Sequence, residues 1–354
     1  MPDINRRSAI LTTGALAAAA FIPEARASPL RTNLAAVRVP PNVRLRGSNI
    51  VCSRNPLGQP YEMYGANVWA AMWTTWDWEG WIKPQIDDAA ALGNAVRLWG
   101  SVQTFLRGNI TEQTYFLRWQ QMLDYCASKG LYMLPSGSDL ADAAQLLMTS
   151  SKAASHYATW ANMLSEYPGV VGVDLMNEAW GLAVTGNVDN AWLLPVLRAC
   201  ADAVHAQGLP VAPSFPLFDS SLWSWSPKGP DPAGRLFAKY PVDPFFELSD
   251  YLDIHLYATS TPAQVASTYE KAWAAGKPMI FGEFGIGADA SPAARTNFYK
   301  TVRGLVSARS DNAGALAWSC YDVNDTDNQF GLFSSPSVLR AEIAAPFATF
   351  PMTR

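Results

Sequence analysis

The sequence predicts a (β/α)8 barrel, a closed ring of parallel strands surrounded by helices. After residue 40, short apolar runs alternate about eight times with amphipathic stretches of helical period. Glycines at positions 93, 130, 169, 208 and 276 follow the helical stretches and mark their ends. An open doubly wound sheet is the alternative, but it would carry a glycine-rich first turn, which this sequence lacks.

Eight short segments are the predicted barrel strands. Most of them are continuously apolar and rich in β-branched or aromatic residues, as strands covered on both faces are. In chain order they are 63–66, 95–98, 132–135, 171–175, 210–212, 251–254, 279–282 and 314–318. Ahead of them, segments 49–53 and 61–64 flank a turn-rich sequence at 55–58, which predicts a short N-terminal β-hairpin.

Helices are predicted between these strands, most clearly at 112–129, 192–207, 262–275 and 292–308. Thr261 precedes Pro262, and Ser291 precedes Pro292, which is the pattern of a capping residue followed by proline at the first helical position. Segment 215–243, with several prolines and two tryptophans, predicts a long loop after the fifth strand. Such loops border the active face of a barrel.

The first 27 residues predict an export signal. Arg6-Arg7-Ser8 precedes an apolar run at 9–22, and Ala25-Arg26-Ala27 supplies small residues for cleavage before Ser28. The run is shorter than the ~20 residues of a membrane span. Paired arginines are typical of twin-arginine export. We expect a periplasmic or secreted protein with an extension at 28–48, one barrel domain at 49–354 and no membrane contact after cleavage.

Composition excludes several classes of function. The 26 Lys and Arg against 30 Asp and Glu leave no basic excess for binding nucleic-acid phosphates. The three histidines lack metal-ligand spacing, and no nucleotide-binding glycine motif occurs. We therefore expect no metal, no cofactor and no nucleic-acid partner. Four cysteines leave three disulfide pairings open; we favour free thiols, because Cys126 and Cys200 fall in helical patterns.

Two glutamates end predicted barrel strands. Glu178 ends the fourth strand and Glu283 the seventh, and the chain has only ten glutamates. A lone glutamate at a strand end is more commonly a salt-bridge partner or a cap. Barrel strands, however, point their carboxyl ends at one shared mouth. Cleaving a glycosidic bond with retention needs two carboxyl groups ~5–5.5 Å apart, one as nucleophile and one as acid/base. The pair predicts that chemistry.

With these motifs the chain resembles the retaining glycoside hydrolases with (β/α)8 barrels, and most closely glycoside hydrolase family 5, the cellulase and mannanase family. The resemblance extends from about residue 49 to the end. Asn177-Glu178 is similar to the family's Asn-Glu pair, which implies that Glu178 is the acid/base and that Asn177 binds the sugar 2-hydroxyl. Glu283, in Gly-Glu-Phe-Gly, is similar to the family's nucleophile.

Four further positions follow from the same resemblance. His255 would orient the acid/base and Tyr257 would hydrogen-bond the nucleophile, while Arg97 would hold the nucleophile ionised and Trp318 would form a platform under the sugar. One element departs from the family, because segment 135–139 after the third strand contains no histidine. This weakens the typical cellulase branch. The sequence at 96–100, Val-Arg-Leu-Trp-Gly, is similar to that of the mannanase branch.

Tryptophans suggest the shape of the substrate. Five of them crowd positions 69–81, where some belong to the core and others suit stacking on the flat faces of sugars. We select Trp69 and Trp180 for stacking. The polar segment 321–328 is interpreted as a loop that closes one side of the cleft, since it lacks the spacing of a calcium loop.

The sequence thus predicts an exported, monomeric retaining β-glycoside hydrolase for β-linked polysaccharide or oligosaccharide, with mannan preferred narrowly over glucan. A transglycosylase with the same residues and a carbohydrate-binding barrel without catalysis remain alternatives. A metal-dependent hydrolase is disfavoured, because the chain lacks paired histidines.

Overall fold

Parallel strands form a closed ring at the centre of the protein. In the computed structural model the described residues are 43–46, 49–52, 63–69, 76–100, 102–137, 149–179, 190–216, 243–258, 277–308, 312–322 and 330–347. All of them belong to one unit, Val37–Arg354. The predicted export signal at 1–27 lies outside the described residues.

The ring strands follow the predicted segments closely. They are β3 (Met63–Val68), β4 (Ala95–Trp99), β5 (Tyr132–Ser136), β6 (Val173–Asp174), β7 (Val211–Ala212), β8 (Ser214–Pro216), β9 (Leu252–Tyr257), β10 (Met279–Gly285) and β11 (Asn312–Ala317). Their hydrogen-bonded order is β7-β6-β5-β4-β3-β11-β10-β9-β8. Every pairing in this sheet is parallel.

The two edges of this sheet are one barrel strand. Strands β7 and β8 are separated only by Pro213, which has no N–H to donate to a ladder. Before the proline, Ala212 pairs with Asp174 of β6; after it, Ser214 pairs with Asp253 of β9. The fifth barrel strand therefore joins the fourth to the sixth and closes the barrel. The predicted (β/α)8 architecture is confirmed.

A small antiparallel hairpin precedes the barrel, but its predicted pairing was wrong. β1 (Val43–Arg46) pairs with β2 (Asn49–Cys52). The segment 61–64 was the expected partner; its residues Met63 and Tyr64 instead begin β3 and pair with β11. Both side chains are buried, which suits a barrel strand covered on both faces better than a surface hairpin.

Helices lie between the strands, and three predicted helices are confirmed with ends shifted by one or two residues. The helices are α1 (Lys83–Leu92), α2 (Gln103–Leu106), α3 (Glu112–Ser128), α4 (Ser150–Ser165), α5 (Asn190–His205), α6 (Asp243–Leu248), α7 (Pro292–Ser307) and α8 (Ala341–Phe347). A π-helical turn, Trp78–Ile82, leads into α1. The predicted cap is present, because Ser291 Oγ accepts from the N–H of Ala294 at 3.2 Å. Segment 262–275 and Thr261 lie outside the described residues.

Two apolar layers hold the barrel. The outer layer packs helices against strands and buries Trp119 and Trp160 completely. The inner layer fills the barrel with side chains from the barrel strands and from residues just before them, among them Tyr132, Tyr251 and Ile280. Each buried large apolar side chain contributes about 1.5–3 kcal/mol. The filled interior forces polar side chains to collect at the carboxyl ends of the strands.

A short C-terminal hairpin of β12 (Phe333–Ser335) and β13 (Val338–Leu339) follows the barrel. Cys126, Cys200 and Cys320 are buried free thiols, as predicted for them; the side chain of Cys52 lies outside the described part. Among the described helices, none has the length and apolar character to cross a membrane.

Candidate active site

Glu178 and Glu283 converge at the mouth of the barrel. Glu283 lies in β10, and Glu178 lies in the turn that follows β6. One carboxylate oxygen of each lies within 4.8 Å of the other and of a ring nitrogen of His255. Their side chains are 17% and 5% exposed, respectively. This separation suits a retaining pair, in which the carboxyl groups are ~5–5.5 Å apart.

The backbone of Glu178 is left-handed. Its φ of 48° is unfavourable for a residue with a Cβ atom and costs about 1–3 kcal/mol. The N–H of Glu178 donates to Ser214 Oγ at 2.8 Å, so the first residue after the Pro213 break helps to fix this conformation. Such strain concentrates at functional sites, where the surrounding structure over-determines it.

Strand β9 brings two side chains to the glutamates. His255 pairs in register with Glu283, and its Nδ1 lies 2.9 Å from Glu178 Oε1 and 3.4 Å from Glu283 Oε2. Tyr257 donates its phenol proton to Glu283 Oε2 at 2.6 Å. Burial acts to lower the pKa of His255, but the charges of Glu283 and Glu178 outweigh it and raise this pKa. Burial and the charge of Glu283 raise the pKa of Tyr257, which therefore stays a donor.

Arg97 occupies the centre of the site from strand β4. Its Nη1 donates to Glu283 Oε1 at 2.7 Å and to Asn67 Oδ1 at 2.9 Å. Its Nη2 donates to Asp174 Oδ2 at 2.5 Å and to Asn177 Oδ1 at 2.9 Å. Burial opposes the charge, but the surrounding carboxylates outweigh it and raise the pKa of Arg97. The guanidinium is a permanent cation beside Glu283.

The sequence reasoning missed Asp174, which is completely buried. Its Oδ2 accepts from Arg97 and from Ser136 Oγ, the latter at 2.6 Å. Its Oδ1 accepts from the backbone N–H of Met176 and of Ser214. Ser136 ends β5 and lies in the segment 135–139, which contains no histidine. The missed signal was a carboxylate within an apolar strand, four positions before Glu178.

Three tryptophans form a cluster next to Arg97. The ring centroids of Trp69 and Trp99 are 5.1 Å apart, those of Trp99 and Trp318 are 5.0 Å apart, and those of Trp69 and Trp318 are 6.0 Å apart. The guanidinium carbon of Arg97 lies 4.7 Å from the ring centroid of Trp99. Asn67 Oδ1 accepts from the indole N–H of Trp99 at 2.9 Å. Sequence reasoning missed Trp99, although the period of a strand places it on the same face as Arg97.

Several predicted features lie elsewhere. Trp76, Trp78 and Trp81 are partly buried against the core, which favours the structural interpretation for these three. Trp180, Trp73 and residues 217–242 and 323–329 lie outside the described residues. At the described edge of the polar segment, Asp322 accepts from the N–H of Gly331 and from Arg340.

The atoms of Glu178, His255 and Glu283 are also close enough together to share one cation. Arg97, however, already lies 2.7 Å from Glu283 Oε1, and a second cation there would be repelled by it. The arrangement therefore favours proton transfer over metal binding.

Comparisons with known proteins identify a family and related folds. The sequence matches the family model described as cellulase (glycosyl hydrolase family 5) over residues 58–324. A search of curated proteins finds no match. An exo-β-1,4-mannosidase from Opitutaceae bacterium strain TAV5 is similar in structure, with a TM-score of 0.60 and 18% identity over 83% of this chain and 60% of that chain.

Two other solved structures are similar. A β-glycosidase from Pyrococcus horikoshii has a TM-score of 0.56 and 13% identity over 75% of this chain and 82% of that chain. A β-glucuronidase from Ruminococcus gnavus has a TM-score of 0.57 and 12% identity over 88% of this chain and 53% of that chain. This chain thus spans less than two thirds of the mannosidase and of the glucuronidase, and these likenesses show the fold alone. Because the family model covers most of the chain, the protein belongs to glycosyl hydrolase family 5.

Proposed function

We propose that the protein is a retaining β-glycoside hydrolase. Glu283 attacks the anomeric carbon while Glu178 protonates the departing oxygen. Glu178 then removes a proton from water, and this water releases the sugar from Glu283 with net retention. The observation that carries the proposal is the approach of one Glu178 oxygen to within 4.8 Å of a Glu283 oxygen at the barrel mouth.

The surroundings of the two carboxyl groups support different roles for them. Glu283 accepts a hydrogen bond on each oxygen, from Arg97 on Oε1 and from Tyr257 on Oε2. Charge-assisted hydrogen bonds are strong and fix the orientation of the carboxylate, as a nucleophile requires. Among the described residues Glu178 contacts His255 rather than an arginine, and it is more exposed than Glu283, so it is well situated to exchange protons with a leaving group and with water.

The substrate we propose is a β-linked polysaccharide or oligosaccharide. Trp318 and Trp69 are partly exposed and belong to the residue type that stacks on sugar rings, and Asn177 lies next to Glu178, where it can bind the 2-hydroxyl. We place mannan narrowly before glucan. The support is the absence of a histidine from segment 135–139, the mannanase-like sequence at 96–100, and the fold shared with a protein described as an exo-β-1,4-mannosidase.

The Glu283→Gln variant tests the mechanism. Removal of a nucleophile reduces kcat by about 10⁴-fold or more in other hydrolases, and we expect that scale of loss on whichever of mannan, glucan, xylan or aryl glycosides is cleaved. The anomer released first, followed by NMR, should have the configuration of the substrate. Glu247→Gln, at an exposed position on α6, is the matched control and should retain activity.

Two results would contradict this proposal. Full activity of Glu283→Gln would show that Glu283 is not the nucleophile. Inversion at the anomeric carbon would show that the reaction is not a double displacement. A product mixture dominated by sugar transfer would indicate a transglycosylase with the same residues. Saturable binding of polysaccharide by the wild type without any bond cleavage would indicate a binding barrel.

We also propose that the chain is exported as a folded monomer by the twin-arginine route. The support is the Arg6-Arg7-Ser8 sequence ahead of an apolar run. Expression in a bacterial host should yield extracytoplasmic protein that begins at Ser28, as measured by mass spectrometry. Replacing both arginines by lysine should retain the protein in the cytoplasm.

A further inference from the structure

Asp253 is a buried carboxylate beneath the proposed active site. It lies in β9, two residues before His255, and its side chain is completely buried. Its Oδ1 lies 3.8 Å from His255 Nε2, and its Oδ2 lies 3.8 Å from Arg97 Nε. Among the described residues, none of these four buried atoms has a hydrogen-bond partner. Unpaired buried polar atoms are costly, and these four face one another.

The neighbouring strand leaves room for this carboxylate. A Cβ atom at Gly282 would lie 1.9 Å from Asp253 Oδ1, so glycine is required for the side chain of Asp253 to fit there. Gly282 immediately precedes Glu283, and the register between β9 and β10 shifts between Ile280 and Glu283. The irregularity that sets Glu283 opposite His255 therefore also makes the space for Asp253.

We propose that Asp253 is a positioning residue that fixes His255 with a proton on Nδ1. A carboxyl group facing Nε2 shares a proton with that nitrogen, either directly after a small approach or through one water molecule. With the shared proton on Asp253, His255 is a neutral imidazole protonated on Nδ1; with it on Nε2, His255 is an imidazolium, also protonated on Nδ1. In both states Nδ1 is a donor directed at the two glutamates. The inference rests on the proposed function and adds a residue to it.

This donor has a definite task in a double displacement. In the free enzyme the negative charge lies on Glu283, and Nδ1 of His255 is 3.4 Å from its Oε2. In the covalent intermediate Glu283 is an ester, and the charge lies on Glu178, whose Oε1 is 2.9 Å from the same Nδ1. One N–H can therefore stabilise the charge in both positions, while the proton of Glu178 passes to the leaving oxygen and is regained from water.

The charged and titratable groups described around His255 and Asp253 influence the protonation of His255. They are Arg97 from β4, Asp174 from β6, Glu178 from the following turn, Glu283 from β10, and Tyr251 and Tyr257 beside and within β9. Burial raises the pKa of Asp253 against the opposing charges of Arg97 and His255. Removing the negative charge of Asp253 should lower the pKa of His255.

The experiment compares the wild type with Asp253→Asn. General acid–base catalysis contributes about 10²–10⁴-fold to a rate. In Asp253→Asn, His255 should be positioned less well, which should reduce kcat about 10-fold while KM changes less than about 2-fold. The basic limb of the kcat profile should move to lower pH. The ¹⁵N-NMR titration of the His255 ring, which is resolved from only two other histidines, should move in the same direction.

Asp88→Asn is the matched control. Asp88 is also a buried aspartate, but it accepts from Tyr321 and Ser337 on the outside of the barrel. Its replacement should lower stability and leave the pH profile unchanged. Wild-type pH dependence in Asp253→Asn, with Glu283→Gln inactive, would overturn the role of Asp253 and leave the proposed function standing.

The wild-type NMR spectrum provides a second measurement that does not depend on the folding of the variant. We expect a proton on Nδ1 of His255 throughout the pH range of activity. A bare Nδ1 in that range would overturn the inference. The measurement requires no substrate, so its outcome does not depend on the proposed function. A failure of the proposed function would instead be revealed by activity of Glu283→Gln.

Discussion

The guanidinium of Arg97 and the carboxylate of Glu283 join the second and seventh barrel strands through a hydrogen bond of 2.7 Å between Nη1 and Oε1. The same guanidinium lies 2.5 Å from Asp174 and 3.8 Å from Asp253. One buried cation thus faces three carboxylates from three other strands. The same guanidinium therefore contributes both to the arrangement of the active site and to the stability of the barrel.

Arg97→Met should therefore destabilise the protein strongly. Removing one partner from a buried ion pair costs about 3–5 kcal/mol, because the remaining charges lose their compensation. Urea unfolding followed by circular dichroism measures the effect. Lys83→Met is the comparison, since its ion pair with Asp87 is about one third exposed and should change the midpoint little. Equally small shifts of the unfolding midpoint in both variants would show that Arg97 does not compensate the charges of the buried carboxylates.

Glu178→Gln should affect substrates according to their leaving groups. Glycosides with poor leaving groups need the proton of Glu178 and should lose about 10²–10⁴-fold in kcat. Activated aryl glycosides need little protonation, so formation of the glycosyl-enzyme should continue and its hydrolysis should become the slow step. A burst of aryl alcohol, measured by stopped-flow absorbance, would show the accumulated intermediate.

Azide supplies a second test with the truncated variant Glu178→Ala. In this variant the space of the carboxylate is vacated, so the small anion can enter it, attack the glycosyl-enzyme without base assistance and restore turnover of activated substrates. Azide should not restore turnover with retained anomeric configuration in Glu283→Gln, because this variant lacks the nucleophile that forms the glycosyl-enzyme. Equal loss on all substrates, without a burst, would contradict the acid/base role of Glu178.

His156 should make the fold sensitive to acid. Burial among Phe105, Tyr115 and Phe116 lowers its pKa from 6.5 to about 3. The unfolded chain takes up a proton near pH 6.5 and the folded chain does not, so this contribution to stability is full above pH 6.5 and is lost as pH falls toward 3.

His156→Phe removes this titration and keeps an aromatic ring in the cluster. Between pH 7 and pH 5 the wild type should lose about 2 kcal/mol more of its free energy of unfolding than the variant does. Urea titrations at the two pH values measure the difference. An identical loss in both proteins would show that His156 is not the acid-sensitive group.

Local patterns were sufficient to predict the barrel and the two glutamates. Strands β4, β5 and β10 begin where their apolar runs begin, because a strand covered on both faces needs an uninterrupted apolar sequence. The pairing of 49–53 with 61–64 failed for a related reason. Alternation identifies a strand but does not specify its partner, and burial in the barrel decided the place of Met63 and Tyr64.

The residues that sequence reasoning missed are those whose role depends on a distant neighbour. Asp174 and Asp253 read as single charges within apolar strands, and only their positions around Arg97 explain them. Trp99 reads as a core residue until the barrel brings Trp69 and Trp318 to within 6.0 Å of each other beside it.

By itself, the sequence determined where the barrel strands lie, where the clearest helices lie between them, and which glutamates follow strands, since these are properties of local period and residue type. The tertiary structure alone decided that Pro213 divides one strand between two neighbours, that Glu178 takes a left-handed backbone, and that one guanidinium faces three carboxylates. Those features arise from the closure of the ring, because closure sets residues that are distant in the chain at hydrogen-bonding distance.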